Sequence, residues 1–241
     1  MRSRTATVLR IGGELAIIVV GVLIALSADS ARESMQERRA EQRHLEALHD
    51  DLNESINLLA ASDSSRQRIF TASARLLNED RDATPADSVT RWVYDGLFQI
   101  ASFEPRLTAL ADLENANQLS LLTPAVRRGI AELNRQLIHL GRLEDDFYRS
   151  QQTMIDPYLV RETPLTPILA VADSLPIDAR IAASPDWSGL QAREARNAMA
   201  FKLSLGKLAT TRRVLLRDHM ETLQGLVGQR LQELDGGWEG A

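Results

Sequence analysis

The chain begins with a basic, acid-free stretch holding Arg2, Arg4 and Arg10, and then runs apolar from Ile11 to Ala28 with Glu14 as its only charge. A helix of those 18 residues spans about 27 Å at about 1.5 Å per residue, near the lower limit for crossing a bilayer. Residues 11–28 are therefore read as a transmembrane helix behind a short basic tail, 1–10. The rival reading is a cleaved signal peptide, since Ala25-Leu26-Ser27 is an acceptable small-x-small cleavage site. Glu14 at the edge of the run and the lack of helix breakers around Ser27 favour a retained anchor. Arg32, Arg38, Arg39 and Arg43 follow the run, so basic residues flank it on both sides and the positive-inside count decides nothing. Those arginines alternate with Asp29, Glu33, Glu37 and Glu41, and the expected topology puts the short tail inside and the large domain outside the cytoplasm.

From Asp29 to Asn78 there is no proline or glycine, and Ala, Glu, Arg, Leu and Gln dominate, all strong helix formers. Leu45, Leu48, Leu52, Ile56 and Leu59 keep three-and-four spacing; Phe70 and Leu77 continue the seven-residue step from Ile56, with Asp63 interrupting it. The pattern predicts a long amphipathic stalk continuous with the membrane helix, broken first at Glu79–Asp87. A shorter helix is expected over Ser88–Ser102 and another opening at Pro105, ending at the polar knot Asn115-Ala116-Asn117. Thr123-Pro124 is a sharp start signal, a capping hydroxyl followed by proline in the first helical position. Behind it Ile130, Leu133, Leu137, Leu140, Phe147, Met154 and Tyr158 fall on heptad positions. Five prolines, Pro157, Pro164, Pro167, Pro176 and Pro185, then predict a long irregular connection over 159–186. A last helix is expected from Trp187 to Leu234 with Phe201, Leu205, Leu208, Leu215, Leu216, Leu223, Leu226, Val227 and Leu234 as its apolar stripe, before a frayed tail over 235–241.

Composition closes off several classes of function. The chain of 241 residues has no cysteine, which excludes disulfides, thiolate metal sites and a cysteine nucleophile. Its net charge is -5, and because the first 28 residues are net basic by two, the remainder stands at -7, a poor footprint for nucleic acid. No glycine-rich phosphate loop, nucleophile elbow, zincin or EF-hand spacing occurs. Glu41-Arg43-His44 and Glu46-Leu48-His49 contain two E-x-x-H spacings, but di-metal bundles draw such motifs from different helices, and both lie on one stalk here; a solvated face is the simpler reading. His139 is isolated, and His219 is read as a hydrogen-bonded core histidine. Asp50-Asp51 and Asp145-Asp146 are read as helix surface, because neighbours on a helix point about 100° apart. Arg193, Arg196, Arg212, Arg213, Arg217 and Arg230 make the last helix basic, with Glu194, Asp218, Glu221 and Glu233 interleaved, which fits a solvated or partner-facing surface. No catalytic residue, cofactor or metal is expected.

Two blocks carry a resemblance. Gly13-Glu14, the run from Ile17 to Leu26 that ends Leu-Ile-Ala-Leu, and Glu41, Leu45, Leu48 and Asp51-Leu52 resemble a bacterial single-pass membrane family of unknown function. Phe103-Glu104-Pro105 through Asp112-Leu113, Asn117, Leu119, Leu122, Arg127 or Arg128 and Ile130 look like that family's central region. A glycine is usual where Asn117 stands, and asparagine is the next residue best able to take the left-handed conformation, so the helix break can survive. The tryptophan common just after the span is replaced by Ala31. The resemblance implies a place in a bacterial inner membrane and no mechanism.

The expectation is thus an all-α protein, an N-terminal transmembrane helix continuing into a mostly antiparallel bundle over 29–234, with the two shorter helices filling one end. The expected role is a non-enzymatic interaction or scaffold module that binds a protein partner or a copy of itself outside the cytoplasm. A ligand-sensing bundle that signals through a partner, and an enzyme with an unrecognised site, are the alternatives. Stepping 100° per residue brings Glu14, Gly21, Ala25 and Ala28 onto one face of the span, and Gly21-x-x-x-Ala25 is a small-x-x-x-small pair suited to close packing between transmembrane helices.

Overall fold

A computed structural model describes residues 3–79, 83–171 and 186–236, with side chains described at 20–79, 83–168 and 186–236. Among them every regular element is helical: α1 Ser3–Asn78, α2 Ala86–Val93, α3 Thr108–Asn115, α4 Pro124–Ser150, α5 Asp156–Glu162, α6 Leu165–Val171 and α7 Arg193–Gly236. The 76 residues of α1 form one uninterrupted helix, about 114 Å long. It is a free rod only as far as Arg39, since Val20–Arg39 is exposed throughout. From Glu41 onward it is a wall of the bundle.

Three long helices make the frame. Glu41 pairs with Arg230 and Arg66 with Gly206, so α7 runs antiparallel to α1. Gln151 meets Lys202 and Gly129 abuts Leu223, so α7 is antiparallel to α4 as well, and α1 and α4 are parallel. The buried positions of α7 follow an unbroken 4-3 step, Ala195, Met199, Lys202, Gly206, Ala209, Arg213, Leu216, Met220, Leu223 and Val227. Those of α1 keep the same step from Glu41 through Leu45, Leu48, Leu52 and Ser55 to Leu59 and again from Arg66 through Ile69 and Ser73 to Leu76, with the half-buried Ser62 bridging the two runs. This is knobs-into-holes spacing, though several of the knobs are polar.

The apolar core falls into two parts. One joins Leu45–Leu59 of α1, α3, the first half of α4 and Leu216–Val227 of α7. The other joins Leu76, α2, Ile155–Leu159, Ile168, Trp187, Leu190, Ala195 and Met199. The short helices therefore sit at two levels, α3 beside the middle of α1 and α2 at the far end, instead of together at one end as expected.

Several local differences from the sequence reading have simple causes. The helix expected over Ser88–Ser102 ends as a π-turn, Tyr94–Phe98, with Gln99 extended beyond it. The helix expected at Pro105 starts at Thr108. There Ser55 bonds both the N–H and the carbonyl of Arg106, and Asp51 accepts from Ala109 N–H at 2.7 Å, capping α3 from a neighbouring helix. Asp51 is therefore no mere surface acid. Met154 is exposed because a second π-turn, Gln151–Ile155, adds a residue and rotates Ile155 inward in its place. The segment 159–171 is largely helical, since Pro157 and Pro167 sit in the first turns of α5 and α6, where a missing N–H costs nothing; residues 172–185 lie outside the described ones. On α7 the expected stripe holds at Leu216, Leu223 and Val227, which are buried, and fails at Phe201, Leu208 and Leu215, which are on the surface. Asp235 is still helical and accepts from Gln42, while residues 237–241 lie outside the described ones.

Other expectations hold. Thr123 caps α4, its hydroxyl accepting from Val126 N–H with Pro124 in the first turn. Asn117 takes φ 54°, and Gln118 N–H reaches back to Leu113 carbonyl, closing α3 by the left-handed turn that asparagine permits.

Candidate functional site

The two apolar clusters are separated by a charged layer through the middle of the bundle. Its centre is Arg213, only 1% exposed. The Nε of Arg213 donates to Asp63 at 2.6 Å and its Nη1 to Glu144 at 2.8 Å, while Arg217 donates to the other oxygen of Asp63 at 2.5 Å. One guanidinium thus ties α7 to α1 and α4 together. Arg66, also buried, donates to the carbonyls of Ala101 and Gly206 and lies over the rings of Phe70 and Phe147 at 5.3 and 5.9 Å. Arg213 itself lies 5.4 Å from the centre of Phe103. The rings supply a polarisable face to cations that water cannot reach.

About three turns along α7, Lys202 is likewise 1% exposed. Its ammonium donates to Leu97 carbonyl at 3.0 Å, Gln99 carbonyl at 3.4 Å and Gln151 Oε1 at 3.0 Å. Gln151 in turn donates to Leu97 carbonyl and to Asp156. Lys202 therefore joins the ends of both π-turns, where the helix ladder leaves carbonyls unpaired. It also explains why the helix stops at Phe98: the carbonyls of Leu97 and Gln99 are taken by an ammonium.

Burial shapes the titration of the layer. Desolvation pushes the Glu144 carboxyl above its ordinary range, with Arg213, Phe103 N–H and Arg66 opposing it. Arg66 is lowered by burial first and by the neighbouring Arg213 second. Lys202 is pushed down to about 8 by burial, with Asp156 opposing. One nitrogen on each of Arg66, Arg213 and Arg217 is buried without an acceptor among the described residues. A layer this incompletely satisfied is expensive compared with an apolar one. What it supplies is register: sliding α7 by one heptad would strand Arg213, Asp63 and Glu144 without partners. The hollows near α1, α2 and α5 are lined by residues other than Arg213, Glu144 and Lys202.

The residues singled out from the sequence behave differently. Gly21, Ala25 and Ala28 lie on the exposed part of α1, where a Cβ at Gly21 would meet nothing, so the bundle does not cover that face. The side chain of Glu14 lies outside the described residues. Among the described residues no helix is long and apolar enough to cross a membrane; of the run that begins at Ile11, side chains are described only from Val20 onward. Glu41 is buried on Arg230 through two 2.9 Å bonds, which draw the Arg230 pKa up, so it is no solvated metal half-site. No cluster of three or more His, Asp or Glu able to hold a metal occurs among the described residues. His219 is half-buried at the rim, 3.8 Å from Glu132, instead of in the core. Arg213, grouped with the solvated arginines, is the most enclosed of them.

The sequence did contain signals for this layer. Asp63 broke the α1 heptad where the layer lies, and the strict 4-3 step on α7 includes Lys202 and Arg213 once polar residues are allowed at core positions. No protein-family model, curated protein or solved structure matches this chain.

Proposed function

We propose that this is a membrane-anchored helical interaction module, whose bundle binds a protein partner or a second copy of itself outside the cytoplasm of a bacterial cell. The carrying observation is that Val20, Val22, Leu23, Ile24 and Leu26 are each more than half exposed and cover over half the circumference of one helix, with the small residues Gly21, Ala25 and Ala28 on the remaining arc. Apolar side chains over so much of a helix need an apolar surrounding, and with Ile11–Val19 the run reaches the length of a bilayer span. Resemblance of the Gly13-Glu14 to Leu26 block to a single-pass family supports the same reading. The surface apolar residues Phe201, Leu208 and Leu215 on α7, and the absence of a recognised catalytic motif, favour binding over chemistry.

Within the span, the Glu14, Gly21, Ala25 and Ala28 face is the contact for another transmembrane helix. A periplasm-active reporter fused after Ala241 tests the anchor and its direction: active reporter in the membrane pellet is expected. Activity in the soluble fraction overturns the retained anchor, and a silent, well-expressed fusion reverses the orientation. In a membrane two-hybrid assay Gly21→Ile is expected to reduce association; unchanged association rejects that face.

A further inference from the structure

Along α1, opposite the charged layer, an open groove of about 550 Å³ lies between Ser62, Ser65 and Arg68 on one side and Tyr94 and the strap Ile100–Ser102 on the other. Past Arg68 and Asp95 it continues into a hollow of about 340 Å³ bordered by Arg75, Arg91 and Trp92. The strap is the non-helical run between the first π-turn and α3, and side chains behind it hold it in place. Its Gln99, Ala101 and Ser102 carbonyls accept from Lys202, Arg66 and Ser62. Phe103 N–H goes to Glu144 and Arg106 N–H to Ser55. The N–H groups of Ile100, Ala101 and Ser102 bond to nothing among the described residues. The Ala101 carbonyl is turned to Arg66, and in an extended run Ile100 and Ser102 put their N–H groups on the opposite edge.

The charge beside it is positive. Arg68 donates to Ser65 and meets no carboxylate among the described residues. Arg75 and Arg91 reach Glu79 and Asp95 only at 3.6 and 3.5 Å on the surface, where such pairs contribute little. Three arginines thus face two carboxylates along the groove. Successive N–H groups of an extended backbone emerge on opposite edges, so they do not converge on one small anion; they match the carbonyls of a chain laid alongside. The Ile100 carbonyl, which accepts from nothing among the described residues, is left for a return bond.

We propose that this groove binds an extended, acidic peptide segment of a partner protein, which pairs with Ile100–Ser102 as an added strand and sets a carboxylate against Arg68. The proposal rests on the interaction-module reading and names the mode of contact, main-chain pairing for affinity and an arginine for selectivity. The probe is a positional-scanning library of acetylated, amidated, proline-free heptapeptides, read by fluorescence anisotropy against the full chain in detergent micelles. At one position Asp or Glu is expected to exceed Lys by about tenfold, the size of one charge-assisted hydrogen bond. Arg68→Glu, a change at an exposed position, should reverse that preference, and amide-to-ester replacement along the best peptide should weaken binding at alternate residues. The proposal is overturned if no peptide is retained, if Arg68→Glu leaves the preference unchanged, if ester losses lack a two-residue period, or if inorganic phosphate displaces the peptide as a lone anion would. Membrane retention of the reporter fusion, measured separately, tells loss of this groove from loss of the anchored module.

Discussion

Replacing Arg213 by Met keeps most of the buried stem and removes the one charge that joins the three long helices. Asp63 retains Arg217 at 2.5 Å. Glu144 loses its close cation and keeps Phe103 N–H at 3.4 Å. If it stays ionised, the loss is that of breaking a buried pair, about 3 to 5 kcal/mol. If it takes a proton instead, the cost at pH 7 is about 1.4 kcal/mol for each unit between 4.5, its ordinary value, and 7, or about 3.4 kcal/mol. The cheaper route sets the ceiling, so about 3 kcal/mol is expected at pH 7, a large part of the about 5 to 15 kcal/mol typical of a domain. The sign with pH follows from burial. Glu144 has a folded pKa above its unfolded one, so between the two values the folded state holds more protons and stability falls as pH rises. Without Arg213 that window extends upward. The penalty should therefore be small below about pH 4.5 and grow towards neutrality, and Arg213→Met with Glu144→Met should recover most of it because no lone buried carboxylate remains. Urea unfolding of the full chain in detergent micelles, followed by circular dichroism across pH, measures both. A penalty independent of pH, or a double variant no more stable than Arg213→Met, would refute the reasoning.

Three further outcomes are expected. Gly96→Ala puts a Cβ 2.7 Å from the Ser73 backbone nitrogen; α1 and the π-turn must separate, and thermal unfolding should show a loss of about 1 to 3 kcal/mol. Lys202 has a folded pKa of about 8 against 10.5 when unfolded, so the unfolded state binds more protons between those values and stability contributed here rises with pH across that window, by up to about 3 kcal/mol; the rise should be absent from Lys202→Met, and equal slopes for the two proteins would disprove it. Asp51→Ala removes the acceptor for Ala109 N–H and should cost about 1 kcal/mol in urea unfolding, with no change for Asp50→Ala on the exposed neighbour.

Much of the frame was legible in the sequence because it depends on local rules. A stretch free of proline and glycine gave one helix through Asn78, Thr123-Pro124 marked the start of α4, and Asn117 marked the end of α3. The charged site was hidden by the assumption that buried heptad positions are apolar. Phe201, Leu208 and Leu215 are more apolar than Lys202, Gly206 and Arg213, so hydrophobicity alone put these three surface residues on the α7 stripe, while Leu216, Leu223 and Val227 are buried as expected.

What the sequence determined by itself is helicity and the sites of its sharpest starts and stops. These follow from backbone propensity and capping, both of which act within a few residues. Only the tertiary structure decided which stripe of α7 faces inward, because that choice depends on partners 69 to 154 residues away: Asp63 and Glu144 neutralise Arg213 and Arg217, and the carbonyls freed by a π-turn accept from Lys202. A charge can occupy a core position once its counter-charge and acceptors arrive from other helices, and neither is visible from its own neighbours in the chain.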